Sequence, residues 1–399
     1  MNINQITPDV FYVGVNDRVT EKFEAQWPLP YGVSYNSYIV KGSDATALID
    51  GVKIDTVLEF FNHIGQIVPD YLVVNHMEPD HSSAIPEILK AFPNLKIIGN
   101  AQTQGMLKGF CHFDDPERFI CVKDGDEISL GNLTLKFYMT PMVHWPETMM
   151  TYIPEQAVLF SGDGFGCFGA LNGAVIDRDM DTTVYYPEMY RYYSNIVGKY
   201  GKFVMAALNK LSDLKLEYIC PTHGPVWNQE IPRVVDITRR LASYESEDGV
   251  VIVYSSMYGN TAEIADLLAS EFAALGQKKI IIHSLTHSAM SDVIADAFRY
   301  KTIVMGSSVY SMRLMPAMEQ FLNAMVTREI KNKVIAGFGG FTWAQGVAAA
   351  KYKEFAETTG LELTDFFAFK QAISAETRER AREFAATVMN AHTKTIADV

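Results

Sequence analysis

Five strand-then-helix units follow one another in the second half of this 399-residue sequence, and few folds accept that rhythm. The units begin after the short, polar, acidic stretch Ser243–Gly249. Val250–Tyr254 is apolar and rich in β-branched residues, as a buried strand requires. Asn260 then opens a helical pattern through Leu275, with Ala262, Ile264, Ala265, Leu268 and Phe272 at helical spacing and Gly276 as its stop. Strands over 279–283, 302–305, 334–338 and 365–369 follow, each with a helix after it, near 289–299, 316–327, 345–359 and 376–391. Strands separated by helices cannot pair as hairpins, so they form a parallel sheet covered by helices on both faces. Such doubly wound α/β sheets bind ligands beyond the carboxyl ends of their strands. The seam predicts two domains, 1–248 and 249–399.

The first domain is richer in strands. Segments 38–40, 47–50, 71–74, 95–98, 133–138, 157–160 and 218–220 read as strands, with helical stretches near 54–65, 83–91, 102–109 and 184–212. This mixture predicts an α+β fold with packed sheets.

Strand 71–74 runs directly into Asn75-His76-Met77-Glu78-Pro79-Asp80-His81. Two histidines and two carboxylates within six residues, on a turn after a buried strand, make a metal site the natural reading. His144, Asp163 and His223 each stand just past another apolar strand, beside Gly or Pro. Each alone is ordinary; together they can converge on one edge of the sheets. Four imidazoles, three carboxylates and no thiolate exceed what one zinc ion requires, and the set suits two metals of iron or manganese type.

In the second domain, the loop Ser256-Met257-Tyr258-Gly259-Asn260-Thr261 joins the first strand to the first helix. Hydroxyls, backbone N–H groups and the helix N-terminus there can cradle an anion. It lacks the Gly-Lys-Ser/Thr of nucleoside-triphosphate loops and the Gly-x-Gly-x-x-Gly of dinucleotide binders. Two further loops, around Ser308-Val309-Tyr310-Ser311 and Gly340-Phe341-Thr342-Trp343, follow the third and fourth strands, and their glycines permit close backbone approach.

The order His76-x-Glu78-x-Asp80-His81, then His144, Asp163 and His223, resembles the metallo-β-lactamase superfamily, whose hydrolases usually carry His where Glu78 stands. Glu78, together with a flavodoxin-like second half, resembles the flavodiiron proteins (A-type flavoproteins). The resemblance spans the chain. It implies an N-terminal metallo-β-lactamase-like αββα sandwich and a C-terminal flavodoxin-like domain. It implies one iron on His76, Glu78 and His144, another on Asp80, His81 and His223, and a bridge made by Asp163 with an oxo or hydroxo group. It implies FMN in the three loops, with Tyr310 and Trp343 flanking the ring. The implied reaction reduces dioxygen to water, nitric oxide to nitrous oxide, or both. A separate donor, rubredoxin or a reduced deazaflavin, and a head-to-tail homodimer or dimer of dimers complete the expectation. The alternatives are a zinc hydrolase with a flavin-binding regulatory domain, against which Glu78 argues, and a flavodoxin-like carrier with a degenerate first domain.

Other residues are read more plainly. Tyr193, in the tyrosine-dense stretch 185–193, is a candidate donor near the metals, with helix packing as its ordinary role. Relatives often place a His near Phe23–Trp27; this chain has none there, and Glu24 or Trp27 can shape the pocket instead. His63, His112, His283, His287 and His392 match no ligand position. Cys111, Cys121, Cys167 and Cys220 form no Cys-x-x-Cys pair, so no zinc ribbon or rubredoxin-like iron site is expected; they read as small buried thiols without a disulfide. A formal charge of −13 argues against nucleic acid, which demands a basic footprint. No apolar run suits a membrane helix, and the first residues lack a signal-peptide pattern, so a cytoplasmic location is expected.

Overall fold

The computed structural model describes residues 4–397. The chain forms two compact units that meet between Ala242 and Ser243. The first long strand of the second unit, Glu247–Ser255, already contains the seam residues 247–249.

The first unit carries two large sheets. One has seven strands, in the order Asn4–Gln5, Val10–Tyr12, Tyr38–Lys41, Thr46–Ile49, Tyr71–Val73, Lys96–Gly99 and Phe119–Cys121. The other has five, in the order Glu127–Ser129, Thr134–Met139, Met149–Ile153, Val158–Gly162 and Tyr218–Pro221. Val40, Ala47, Ile49 and Val73 share one core with Leu135, Phe137, Leu159 and Cys220, so the sheets pack face to face. The alternate residues Ile39, Leu48, Leu72 and Ile97 turn the other way and pack against Phe60, Ile64, Ile88 and Leu107 of the helices Val57–Ile64, Ile85–Ala91 and Ala101–Cys111. Helices Gly201–Leu211 and Ile231–Ala242 cover the second sheet through Val204, Leu211, Ile237 and Leu241. This is an αββα sandwich. Both faces of each central strand are covered, which is why their sequences are apolar almost without interruption.

The stretch expected as one helix over 184–212 is broken. Helix Tyr185–Tyr192 runs into a π turn at Tyr193–Val197, and Gly198, with φ of 47°, redirects the chain before Gly201–Leu211. Helix Ile231–Ala242 has no counterpart in the sequence reading.

The second unit is a parallel sheet in the order Ile280–Ser284, Glu247–Ser255, Tyr300–Tyr310, Val334–Phe341 and Leu363–Lys370, with the short strand Arg313–Leu314 folded back on the third. This is the doubly wound, flavodoxin-like order. Helices Asn260–Ala274 and Ala375–Ala397 pack together on one face through Ile264, Leu268, Phe272, Ala381 and Phe384. Met290–Arg299, Pro316–Thr327 and Val347–Thr359 form a second set. No described helix is long and apolar enough to cross a membrane.

Candidate metal centre and cofactor cleft

The seven expected ligands lie at strand ends, in the turns after them or, for Asp80 and His81, on a short helix that follows, and the fold brings them together. His76 follows strand Tyr71–Val73, Asp163 follows Val158–Gly162, and His223 follows Tyr218–Pro221. His144 stands in the turn between Thr134–Met139 and Met149–Ile153. Pro79 starts a short helix, Pro79–Ser82, which carries Asp80 and His81. Gly224, with φ of 79°, turns the chain behind His223, where a Cβ would meet Cys167 Sγ at 2.3 Å.

The donor atoms form two groups, His76–Glu78–His144–Asp163 and Asp80–His81–His223, each within 4.8 Å of one another. Asp163 joins them. Its Oδ2 lies 3.1 Å from His144 Nε2 and 3.5 Å from His76 Nε2. Its Oδ1 lies 3.0 Å from His81 Nε2 and 3.8 Å from His223 Nε2. Glu78 Oε2 is 3.3 Å from His76 Nε2 and 3.0 Å from His144 Nε2. Asp80 Oδ2 is 3.3 Å from His81 Nε2 and 3.1 Å from His223 Nε2. Asp80 lies at an accessible edge; the other six ligands are buried.

The chemistry of this donor set fits two bound cations. His76 Nδ1 faces Glu147 Oε1 at 2.8 Å, and His223 Nδ1 faces the Ser34 carbonyl at 2.7 Å. Those acceptors hold the proton on Nδ1, so each Nε2 lone pair points at the carboxylates. Buried lone pairs facing buried anions require positive charge between them. Both Asp80 oxygens and His223 Nε2 are buried without a hydrogen bond of acceptable geometry among the described residues. Burial disfavours the charged form of His144, but hydrogen bonds to Asp163 and Glu78 outweigh it and push the group up to about 9. His81 is likewise pushed up to about 9, burial being outweighed by Asp80 and Asp163. Burial works the other way on Asp163, yet His81 and His76 hold its carboxyl well below the usual range.

Several residues that the sequence did not flag support the ligands. Thr222 Oγ1 donates to Asp163 Oδ1 at 2.6 Å. Asp50 accepts from the Asn75 backbone and side chain at 2.7 and 2.8 Å, fixing the turn before His76. Asn36 binds the carbonyls of Pro221 and Gly224 through its amide and that of Thr222 through its backbone, gripping the His223 turn. The tyrosine with its ring beside His223, 5.6 Å between centroids, is Tyr192; burial and the nearby Asp163 carboxylate raise its phenol. Tyr193, the candidate read from the sequence, is buried in the large hydrophobic cluster of this unit.

Glu24 occupies the tight turn between strands Lys22–Phe23 and Trp27–Pro28 and is hydrogen-bonded by Trp27 Nε1 at 3.1 Å. Its carboxyl is pushed up to about 7, first by desolvation and then by the nearby charge of Glu78, although its own side chain reaches solvent. Phe23, beside it, packs edge-on to His223.

Among the remaining histidines, His63 meets the Gly14 carbonyl, His283 meets Asp296, and His392 is buried between Thr302 and Asp248. His112 ends helix Ala101–Cys111 in a left-handed conformation. His287 lies in the turn after Ile280–Ser284, its N–H bonded to the Ser284 carbonyl. All four cysteines are free; Cys167 and Cys220 are buried as expected, but Cys111 is half-buried and Cys121 exposed.

In the second unit, the three expected loops enclose a cleft of about 280 Å³ at the carboxyl ends of the strands. Met257, Tyr258, Asn260 and Thr261 line it from the first loop. Ser308, Val309 and Ser311 come from the second, and Gly340, Phe341, Thr342 and Trp343 from the third. Ser256 and Gly259 shape the first turn, with the Gly259 N–H bonded to Ser256 Oγ at 3.2 Å; Tyr310 stands at the end of the third strand, half exposed. Met312, Ala344, Phe369 and Gln371 line the cleft without having been foreseen. The cleft fits a phosphate-bearing aromatic group. The 15-residue helix Asn260–Ala274 begins at Gly259 with no side-chain cap, so its first N–H groups remain available to an anion. Ser255 Oγ is buried there without a hydrogen-bond partner among the described residues. Tyr258 and Trp343, 90% and 86% exposed, offer flat apolar surface at the rim.

Comparison with known proteins agrees with this construction. Residues 33–224 match the model of the ODP family beta lactamases, and residues 251–394 match a flavodoxin domain. An uncharacterized protein of Methanocaldococcus jannaschii is 30% identical over 365 residues, covering 90% of this chain and 91% of that one. The anaerobic nitric oxide reductase flavorubredoxin of Escherichia coli is 30% identical over 348 residues, covering 85% of this chain and 72% of its own. Rubredoxin oxygen:oxidoreductase from Desulfovibrio gigas superposes with a TM-score of 0.94 at 26% identity, over 99% and 100% of the two chains. A flavoprotein from Thermotoga maritima gives 0.88 at 27% identity, over 98% of each chain. With a β-lactamase-like domain followed by a flavodoxin domain throughout, this chain belongs to the flavodiiron proteins, a family of flavoprotein oxidoreductases.

Proposed function

We propose that the chain reduces a diatomic gas, dioxygen to water or nitric oxide to nitrous oxide, at two irons held by His76, Glu78, Asp80, His81, His144, Asp163 and His223. The observation that carries this reading is Asp163, whose two oxygens face two separate His–carboxylate groups. When bound, the two irons supply adjacent reducing equivalents and open coordination positions, and FMN relays electrons to them.

The chain's own residues do the rest. His76 and His223 are held with Nε2 directed inward by Glu147 and the Ser34 carbonyl. Thr222 fixes the rotamer of Asp163. Phe23 and Tyr192 pack against His223, with Phe168 against both of them, and exclude bulk water from that side. Glu24 is held by Trp27 Nε1 at the tip of the turn beside the pocket. The Ser256–Thr261 loop would hold the FMN phosphate, with Tyr310 and Trp343 against the ring.

The donor in this reading is a rubredoxin or a reduced deazaflavin, the former supported by the name of the Desulfovibrio relative. A cytoplasmic location and a head-to-tail homodimer, in which one chain's flavin serves its partner's irons, belong to the same reading. Sedimentation of a fully active monomer would contradict the dimer. Metal analysis tests the centre itself: two irons and one FMN per chain are expected, and zinc alone would restore the hydrolase alternative.

A further inference from the structure

The two candidate metal positions have matching donor types. Each offers two imidazoles, one carboxylate of its own and one oxygen of Asp163. What differs is what stands behind the imidazoles. Behind His76 is Glu147, fully buried, with Oε1 2.8 Å from His76 Nδ1 and 2.9 Å from the Met77 N–H. Behind His223 is only the neutral carbonyl of Ser34, and His81 Nδ1 has no hydrogen-bond partner among the described residues.

Glu147 is itself held in place. Its backbone carbonyl accepts from Asn100 Nδ2 at 2.5 Å, and Asn100 caps the helix Ala101–Cys111 through Gln102 and Thr103. Among the described residues its only ion-pair partner is His76. A carboxylate so far from water requires positive charge nearby, and the nearest place for it is beyond the His76 ring. A carboxylate behind a metal-binding imidazole orients the ring and raises its basicity, which a peptide carbonyl does less strongly.

The geometry points to Glu147 as a positioning residue that makes the His76–Glu78–His144 position the tighter of two otherwise matched cation sites. This inference rests on the two-metal reading above. It predicts that the protein fills in order, with the Glu147-backed position first.

The test uses full-length protein stripped of metal and titrated anaerobically with Co²⁺, whose visible absorption reports each site as it fills. Wild-type protein is expected to take up two equivalents in two unequal steps. Glu147→Gln keeps an oxygen for His76 and Met77 but removes the charge. It is expected to weaken the tighter step by about 10- to 100-fold while the weaker step stays put. FMN content and the thermal unfolding of the metal-free protein should match wild type. Two equal steps in wild type, an unchanged tight step in the variant, or equal weakening of both steps overturns the inference. Failure of wild-type protein to bind any Co²⁺ would instead defeat the two-metal reading itself.

Discussion

The metal pocket and the flavin cleft solve opposite problems. The pocket is built from side chains: seven ligands, six of them buried, gathered from four separate segments between residues 76 and 223. Its specificity lies in residue identity, and its cost lies in bringing charged groups out of water. The cleft is built largely from backbone and shape. It uses an uncapped helix N-terminus, glycines at Gly259 and Gly340, and exposed aromatics at its rim. Removing one group from the first kind of site should therefore cause collapse, and from the second only a graded loss.

The sharpest contrast comes from Asp163→Ala. It removes the carboxylate shared by both groups, so both metals should be lost and turnover should fall on the order of a hundredfold or more, with FMN retained. Metal and flavin analysis of one purified sample checks it; flavin loss in parallel would erase the distinction between the regions. Next in size is Thr261→Val. Thr261 Oγ1 pairs with Ser308 Oγ at 2.9 Å beside the anion cradle. FMN affinity should drop about tenfold, and iron content should stay the same.

The pocket should also respond to pH where the cleft does not. His81 and His144 are raised from the ordinary 6.5 to about 9 in the metal-free chain. Their stabilising contribution there is fully present below about 6.5 and is lost as pH rises toward 9. Metal needs the same Nε2 atoms unprotonated, so its affinity should fall as pH drops below about 9. Paired melts with and without metal across pH 6 to 10 check this: the gap between them should widen with pH. A constant gap would contradict it. The smallest effect is expected for Trp343→Ala. An exposed rim aromatic should change FMN affinity by roughly two- to tenfold and leave the metal centre untouched. Fluorescence titration of flavin measures it.

The same contrast explains what was legible in the sequence. Ligand types standing at strand ends are visible without any structure, because each chemistry needs its own side chain. The parallel sheet is visible because fully buried strands such as Val250–Val253 are continuous apolar runs. The supports are not visible. Glu147 lies 71 residues from the histidine it holds, and Asn36 lies 185 from the carbonyl of Pro221; no local pattern links such partners. Tyr192 and Tyr193 are told apart only by geometry. The helix Tyr185–Tyr192 passes into a π turn at Tyr193, so the spacing that would choose the inward tyrosine changes just there. Helix Ile231–Ala242 is the exception among the missed elements: its buried residues Val234, Ile237, Thr238, Leu241 and Ala242 recur at helical spacing, a local pattern that the sequence does carry. In the cleft, the contribution of Phe369 and Gln371 depends on how far the fifth strand and its loop extend beside the third loop.

Gas consumption tests the central claim most directly. Iron-loaded protein, reduced photochemically under argon, would be given dioxygen or nitric oxide in parallel electrode cells, beside Asp163→Ala. Rapid catalytic loss of at least one gas by wild-type protein, and of neither by the variant, is the predicted result. Loss of neither gas by wild-type protein that carries both iron and FMN would contradict the account.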